Sequence, residues 1–210
     1  LYVSSMPQPK QGAVGCHLLR NDGHGKFEDI SETSGACPEA FGGRSAAALD
    51  FDGYGIGGLS VGETRDEMVP ALAAAMAHLP VDRPRYLMGV GDPASLVEAA
   101  NLGVDQFDCV MQTRIGRHGT ALTSTGKLHI KNAKWALSDE PIDASCPCEV
   151  CQRHSRGYIR HLFQVGEPTA ARLLSLHNIA WTIDLMRQMR EAIAAGTFQT
   201  LRNQVLSVWG

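Results

Sequence analysis

The sequence predicts an α/β protein: strand-and-helix units that build a parallel sheet, followed by a helical, cysteine-bearing segment and preceded by a short β-hairpin. Three observations predict it. From Tyr54 onward short apolar runs alternate with helical stretches that carry capping signals, the pattern of βα units. Three of the six cysteines crowd into Cys146-Pro147-Cys148-Glu149-Val150-Cys151, ahead of a mostly apolar helix. The opening segment has a different texture, with turn signals at Asn21-Asp22-Gly23 and Gly42-Gly43, where short strands are expected. The expected divisions are therefore 1–49, 50–137 and 138–210.

Bulk properties narrow the class further. A chain of 210 residues is long enough for one good core or one and a half domains. With 44% hydrophobic residues, 20% charged residues and 22 glycines, it reads as soluble and globular. The formal net charge of -3 predicts no global attraction to nucleic acid, so an RNA site must come from local clusters of Lys and Arg. No apolar run reaches membrane-span length and the first twenty residues lack a signal pattern, so a cytoplasmic location is expected. Cys16, Cys37 and Cys109 are scattered, and the crowding of the other three suits a metal site in a reducing compartment better than a disulfide framework.

Taken in order, His17 to Ile30 places apolar residues on both sides of a glycine-rich turn, which is a hairpin signal. With the calcium-loop-like string Ala47-Ala48-Leu49-Asp50-Phe51-Asp52-Gly53, residues 1–53 resemble a single repeat of FG-GAP and VCBS-type β-propellers. A lone blade needs neighbours to complete a core, and a hairpin attached to the larger domain is the plainer alternative.

Three βα units follow. Tyr54 to Leu59 is a glycine-weakened strand, and Thr64-Arg65-Asp66-Glu67 has capping-box spacing for a helix reaching toward His78. Pro70 predicts a kink or a later start. Arg85 to Met88 is the second strand, with Asp92-Pro93 as cap and first helical residue and Gly103 as the stop. Phe107 to Met111 is the third. The strand ends carry Gly57-Gly58, Met88-Gly89 and Asp108, and in parallel α/β folds those ends carry the chemistry. The plainer alternative is that the glycines turn the chain and Met88 fills core. Three units are too few to close an eight-stranded barrel.

Three groups of residues stand out chemically. Cys146, Cys148 and Cys151 with His177 supply the soft and borderline ligands that tetrahedral zinc prefers, and four protein ligands make a structural site. His154 and His161 are alternative fourth ligands, and three buried thiols beside a core histidine are the alternative to a metal. Asp108 stands between Phe107 and Cys109-Val110-Met111, where a carboxylate is expensive unless it is used or paired. It is either a nucleophile kept ionised by backbone amides or a buried partner for Arg114. Arg114, Arg117, Lys127, Lys131 and Lys134 form a run without Asp or Glu, either a phosphate-contacting surface or a solvated loop.

Together, Phe51 to Glu63, Tyr86-Leu87-Met88-Gly89-Val90-Gly91, Phe107-Asp108-Cys109-Val110 with Thr113-Arg114, and the Cys146/Cys148/Cys151/His177 set resemble the tRNA-guanine transglycosylases from about Asp50 to the C-terminus. The resemblance implies the last three βα units of a TIM barrel, joined to a helical zinc-binding subdomain. It implies double displacement on tRNA: Asp108 attacks the ribose at the anticodon wobble position, guanine leaves and a 7-deazaguanine base replaces it, as in queuosine synthesis. Gly58 and Leu59 match the base-binding loop, Met88 the stacking residue and Glu63 the support of that loop. Val61 matches the bacterial form, which uses 7-aminomethyl-7-deazaguanine. Gly89, Val90, Gly91, Asp92, Pro93, Ala94 and Ser95, and Thr113, Arg114, Ile115, Gly116 and Arg117, match tRNA-contacting segments. A structural zinc and a homodimer are likewise implied.

Two departures accompany the resemblance. Gln112 stands where the family usually has proline, and the family's first five strands, with its acid/base aspartate, have no counterpart before Asp50. The chain alone is therefore expected to carry the nucleophile without the acid and to be inactive. The second open class is a zinc-stabilised RNA-binding module without catalysis.

Overall fold

The computed structural model describes the backbone of residues 2–4, 17–21 and 27–29, and residues 51–59 and 62–210 in full. The turn between the second and third strands, Gly42-Gly43, Ala47 to Asp50, Ser60 and Val61 lie outside the described residues. The chain divides into two compact units, one of residues 1–90 with 98–109 and the other of residues 91–97 with 110–210.

In the first unit, β1 (Tyr2–Ser4), β2 (His17–Asn21) and β3 (Phe27–Asp29) pair antiparallel in chain order. The β2–β3 pairing, with Leu19 opposite Asp29, is that of the expected hairpin. A separate parallel sheet holds β4 (Tyr54–Ile56), β5 (Arg85–Leu87) and β6 (Gln106–Phe107), again in chain order. Helix α1 (Arg65–Met76) connects β4 to β5. Its apolar stripe at Met68, Leu72 and Met76, one residue per turn, is buried with Tyr54, Ile56, Leu87 and Val90. Full burial of Leu72 and Leu87 contributes roughly 1.5–3 kcal/mol each.

Capping fixes where α1 begins. The Glu67 carboxylate accepts from both the backbone N–H and the hydroxyl of Thr64, each at 2.8 Å, which lowers the Glu67 pKa. The helix therefore starts at Arg65 and runs through Pro70, correcting the expected late start. Pro70 deprives only the carbonyl of exposed Asp66, which water can satisfy.

The strands are shorter than expected. β4 stops at Ile56, β5 at Leu87 and β6 at Phe107, so Asp108 follows the last strand and Met111 opens a helix. Helix α2 (Pro93–Asn101) matches the reading of Asp92 as cap, its carboxylate accepting from the Ser95 N–H at 3.0 Å. Gly103 ends that stretch at φ 97°.

In the second unit, α3 (Met111–Arg117) is followed by a two-stranded antiparallel hairpin of β7 (Thr120–Thr123) and β8 (Gly126–His129). A 3₁₀ turn at Ala133–Trp135 leads to α4 (Glu149–Arg153), α5 (Arg156–Gln164), α6 (Pro168–Ala194) and α7 (Phe198–Trp209). Helix α6 has Glu167 as cap and Pro168 in its first turn, where a missing N–H costs nothing. Ala121, Ile130, Ile142, Val150, Ile159 and Leu174 form the core, closing hairpin, loop and three helices around one centre. Among the described residues no helix is long and apolar enough to cross a membrane.

Candidate functional site

The parallel register places residues 57–59, 88–89 and 108 just beyond the C-terminal ends of neighbouring strands. Asp108 is exposed there, correcting its expected position inside a core strand. Its Oδ1 accepts from the Tyr86 hydroxyl at 2.6 Å and from the Gly89 N–H at 3.0 Å. The two bonds, the tyrosine's first, hold the carboxyl below its ordinary value. Arg114, the alternative partner, belongs to the other unit.

Strand alternation explains this convergence. Tyr86 and Met88 are two residues apart and so share one side of the sheet. Gly55 on the adjacent strand leaves room, since a Cβ there would lie 3.0 Å from the Met88 methyl. Gly89 has φ 76°, a conformation natural to glycine, while its N–H points to the carboxylate. Of the base-binding candidates, Leu59 packs against the core, Gly58 is half-buried at φ 77°, Glu63 is exposed, and Val61 lies outside the described residues.

In the second unit, the Sγ atoms of Cys146, Cys148 and Cys151 and a ring nitrogen of His177 all lie within 4.8 Å of one another. His154 and His161 are not in this group; His154 stacks on Tyr158. Cys148 caps α4, so the turn that starts the helix aims the thiols, and α6 brings in the histidine. His177 Nδ1 lies 3.4 Å from Cys148 Sγ and 3.3 Å from Cys151 Sγ. Tetrahedral zinc at ordinary bond lengths separates sulfur from nitrogen by about 3.6 Å. His177 Nε2 lies 2.8 Å from the Leu122 carbonyl, which fixes the tautomer that leaves Nδ1 free to ligate.

The three thiols shift one another's ionisation. Hydrogen bonding from Cys151, opposed by burial and aided by His177, pulls Cys148 down to about 3. Burial pushes Cys146 up to about 11, and the bond to Cys148 raises Cys151 as well. Three thiols and a histidine nitrogen this close together form a donor set that a bound cation would stabilise as thiolates. The four residues form a buried to half-buried group suited to structural zinc.

Arg114, Arg117, Lys127, Lys131 and Lys134 are all exposed in this same unit. Arg114 and Arg117 sit on α3, Lys127 on β8, Lys131 in the turn that follows β8 and Lys134 in the 3₁₀ turn. Lys131 lies over the Phe163 ring and Lys134 over Trp135. Among the described residues none of the five forms an ion pair. The candidate RNA-contacting residues are less uniform. Gly89, Arg114 and Arg117 are exposed, and Asp92, Thr113 and Ile115 half-buried. Val90, Gly91, Pro93, Ala94, Ser95 and Gly116 are buried. Gly116 serves packing, because a Cβ there would lie 2.9 Å from the Ser175 backbone nitrogen of α6.

Three polar residues escaped the sequence reading. Tyr86 holds Asp108, and its signal was the two-residue spacing to Met88. Asp143, buried, accepts from the hydroxyls and amides of Ser124 and Ser145, tying the hairpin turn to the cysteine loop. Asn178, fully buried, bonds the backbone of Gln112, Thr120 and Leu122; its signal was a carboxamide in an apolar helix beside His177.

The queuine tRNA-ribosyltransferase family model matches residues 41–210, beginning upstream of Asp50. The chain is 53% identical over 172 residues to a queuine tRNA-ribosyltransferase of Sphingopyxis alaskensis, covering 80% of this chain and 46% of the relative. To that of Clostridium acetobutylicum it is 48% identical over 166 residues, covering 79% and 44%. For Symbiobacterium thermophilum the figures are 51% over 162 residues, 77% and 40%. The chain thus spans less than half the length of these relatives. The propeller-repeat resemblance of the opening segment finds no support in these matches.

Proposed function

The chain belongs to the queuine tRNA-ribosyltransferase family, and we propose that it is the nucleophile- and zinc-bearing part of a tRNA-guanine transglycosylase, its 50–137 segment forming the last three βα units of a barrel and 138–210 the zinc subdomain. The observation that carries this reading is the Asp108 carboxylate, held ionised at the end of a parallel sheet by Tyr86 and Gly89. An ionised, exposed carboxylate among strand ends is equipped to attack an electrophilic carbon.

In the proposed reaction an Asp108 oxygen bonds to the anomeric carbon of the wobble ribose while the bond from that carbon to guanine breaks. Guanine leaves with the bonding electron pair and takes a proton from a general acid. The resemblance places that acid in the part of the family not matched here. The incoming 7-deazaguanine nitrogen then bonds to the same carbon, gives its proton to the same acid/base, and Asp108 departs as a carboxylate. Gly58, Leu59, Val61, Glu63 and Met88 are the proposed base-binding residues. Met88 offers a thioether to stack on the base. Arg114 and Arg117 are the proposed phosphate contacts, with the flanking backbone shaping the surface.

Zinc held by Cys146, Cys148, Cys151 and His177 supplies a cross-link with every position filled by protein. We place the enzyme in the cytoplasm, as a homodimer, which sedimentation of the zinc-loaded protein tests. The function is tested by guanine exchange into tRNA. The isolated chain should show little or none. A protein in which residues 50–210 replace the matching part of the Sphingopyxis relative should regain it, and failure of that chimera while it folds and holds zinc would overturn the assignment.

A further inference from the structure

Asn178 joins three backbone positions through one side chain. Its side chain is fully buried on α6, one residue after the zinc-ligand candidate His177. Oδ1 accepts from the Leu122 N–H at 2.9 Å, and Nδ2 donates to the Gln112 and Thr120 carbonyls, each at 3.0 Å. Both amide protons are thus used, and every partner is backbone from β7 or the first turn of α3.

The contacts around it point the same way. Gln112 passes the connection on, its own Nε2 donating to the Gly91 carbonyl at 2.9 Å. One turn before Asn178, Ser175 faces Gly116 so closely that no Cβ fits between them. His177 Nε2 grips the Leu122 carbonyl while Asn178 grips the Leu122 N–H. Helix α3, which carries exposed Arg114 and Arg117, is therefore set against α6 by a carboxamide, a missing Cβ and the strand between them.

We propose that Asn178 is a positioning residue for RNA binding: it fixes α3 in the register that presents Arg114 and Arg117 to tRNA phosphates. The inference rests on the tRNA-binding reading above. A buried carboxamide is expensive to desolvate, and an apolar residue at 178 would suffice if packing alone were needed. What an apolar residue cannot do is hold the Gln112 carbonyl, and hence the first turn of α3, in one place.

The test uses the full chain with zinc and an unmodified tRNA carrying guanine at its wobble position. Fluorescence anisotropy across a salt series is read for the parent, Asn178→Ala, Arg114→Ala/Arg117→Ala and the triple variant. Asn178→Ala should weaken binding about tenfold and flatten the salt slope, as the double arginine variant does. The triple variant should bind no more weakly than the double one, since residue 178 acts through those arginines. Zinc content should stay at the parent value, and hydrogen exchange should quicken in α3 and β7 and not in the cysteine loop. Unchanged binding by Asn178→Ala, or additive losses in the triple variant, would overturn the inference. Should Asn178→Ala fail to fold, Asn178→Ser, which keeps one donor, takes its place; loss of zinc by both would equally overturn it. If the arginine variant binds as the parent does, the tRNA reading of α3 fails instead, and the hydrogen-exchange pattern still decides whether Asn178 sets that helix.

Discussion

The Tyr86 hydroxyl on β5 and the carboxylate of Asp108, the residue that follows the adjacent parallel strand β6, meet at 2.6 Å. This bond is the largest of the influences that lower the carboxyl's pKa, ahead of the Gly89 N–H. Because the folded value lies below the ordinary 3.8, the interaction stabilises the fold above that pH and is lost as pH falls through the lowered value. Tyr86→Phe should therefore move the Asp108 titration upward, followed by carbon NMR of labelled aspartate. A titration that does not move would remove Tyr86 from the site.

The metal centre leads to a sharper outcome. One zinc per chain is expected, and Cys148→Ala should abolish stoichiometric binding, because it removes one of the four clustered ligands. Elemental analysis reads this directly. Full retention of zinc in that variant would exclude the Cys146/Cys148/Cys151/His177 set.

Asp143 tests how the cysteine loop is anchored. Its carboxylate accepts from two amides and two hydroxyls, while the carbonyl of the same residue accepts from the Cys146 N–H. Asn at this position offers one acceptor oxygen and turns two donors toward donors. Asp143→Asn should destabilise the zinc-bound protein by about 1–3 kcal/mol, measured by urea unfolding. Asp143→Asn unfolding at the parental urea midpoint would show that the serines find other partners.

Much of this arrangement was legible in the sequence, and the reasons are local. The Thr64-to-Glu67 capping box and the Asp92-Pro93 pair are local signals, so both helix starts were legible, although Pro70 argued for a later start of α1 than the Arg65 observed. The cysteine cluster was legible because three ligands share one turn. Asp108 was found as a candidate but placed wrongly. Its apolar neighbours suggested a continuing strand, whereas β6 ends at Phe107 and the chain turns into α3. The β7–β8 hairpin was not legible within the basic run, since its two-residue turn, Ser124-Thr125, lacks the Asn-Gly or Asp-Gly signature. Asn178 and Gln112 are 66 residues apart in sequence, and no periodicity links a carboxamide to a backbone carbonyl at that distance.

Salt dependence should report the basic surface. Arg114 and Arg117 are exposed on α3 and make no ion pair among the described residues, so their charges are available to phosphate. Replacing both with Ala should weaken tRNA binding and reduce the slope of affinity against salt by about two contacts' worth. An unchanged slope would take α3 out of the RNA interface.

The role of Asp108 can be separated from folding because the carboxylate is exposed and outside the buried core. Asp108→Asn keeps the shape and one acceptor oxygen for Tyr86 and Gly89 but removes the negative charge that forms the bond to ribose. In the chimera with a complete barrel, the parent should form a covalent adduct with tRNA that survives denaturing electrophoresis, and Asp108→Asn should form none. Zinc content and the urea midpoint of the second unit should be unaltered, since Cys146, Cys148, Cys151 and His177 all lie outside the unit that holds residue 108. Tyr86→Phe should fall between the two, forming the adduct more slowly, with the deficit largest at acid pH where its raised carboxyl pKa leaves less nucleophile ionised. An adduct that persists in Asp108→Asn would assign the attack to another residue and leave Tyr86 and Gly89 holding a carboxylate with a structural task alone.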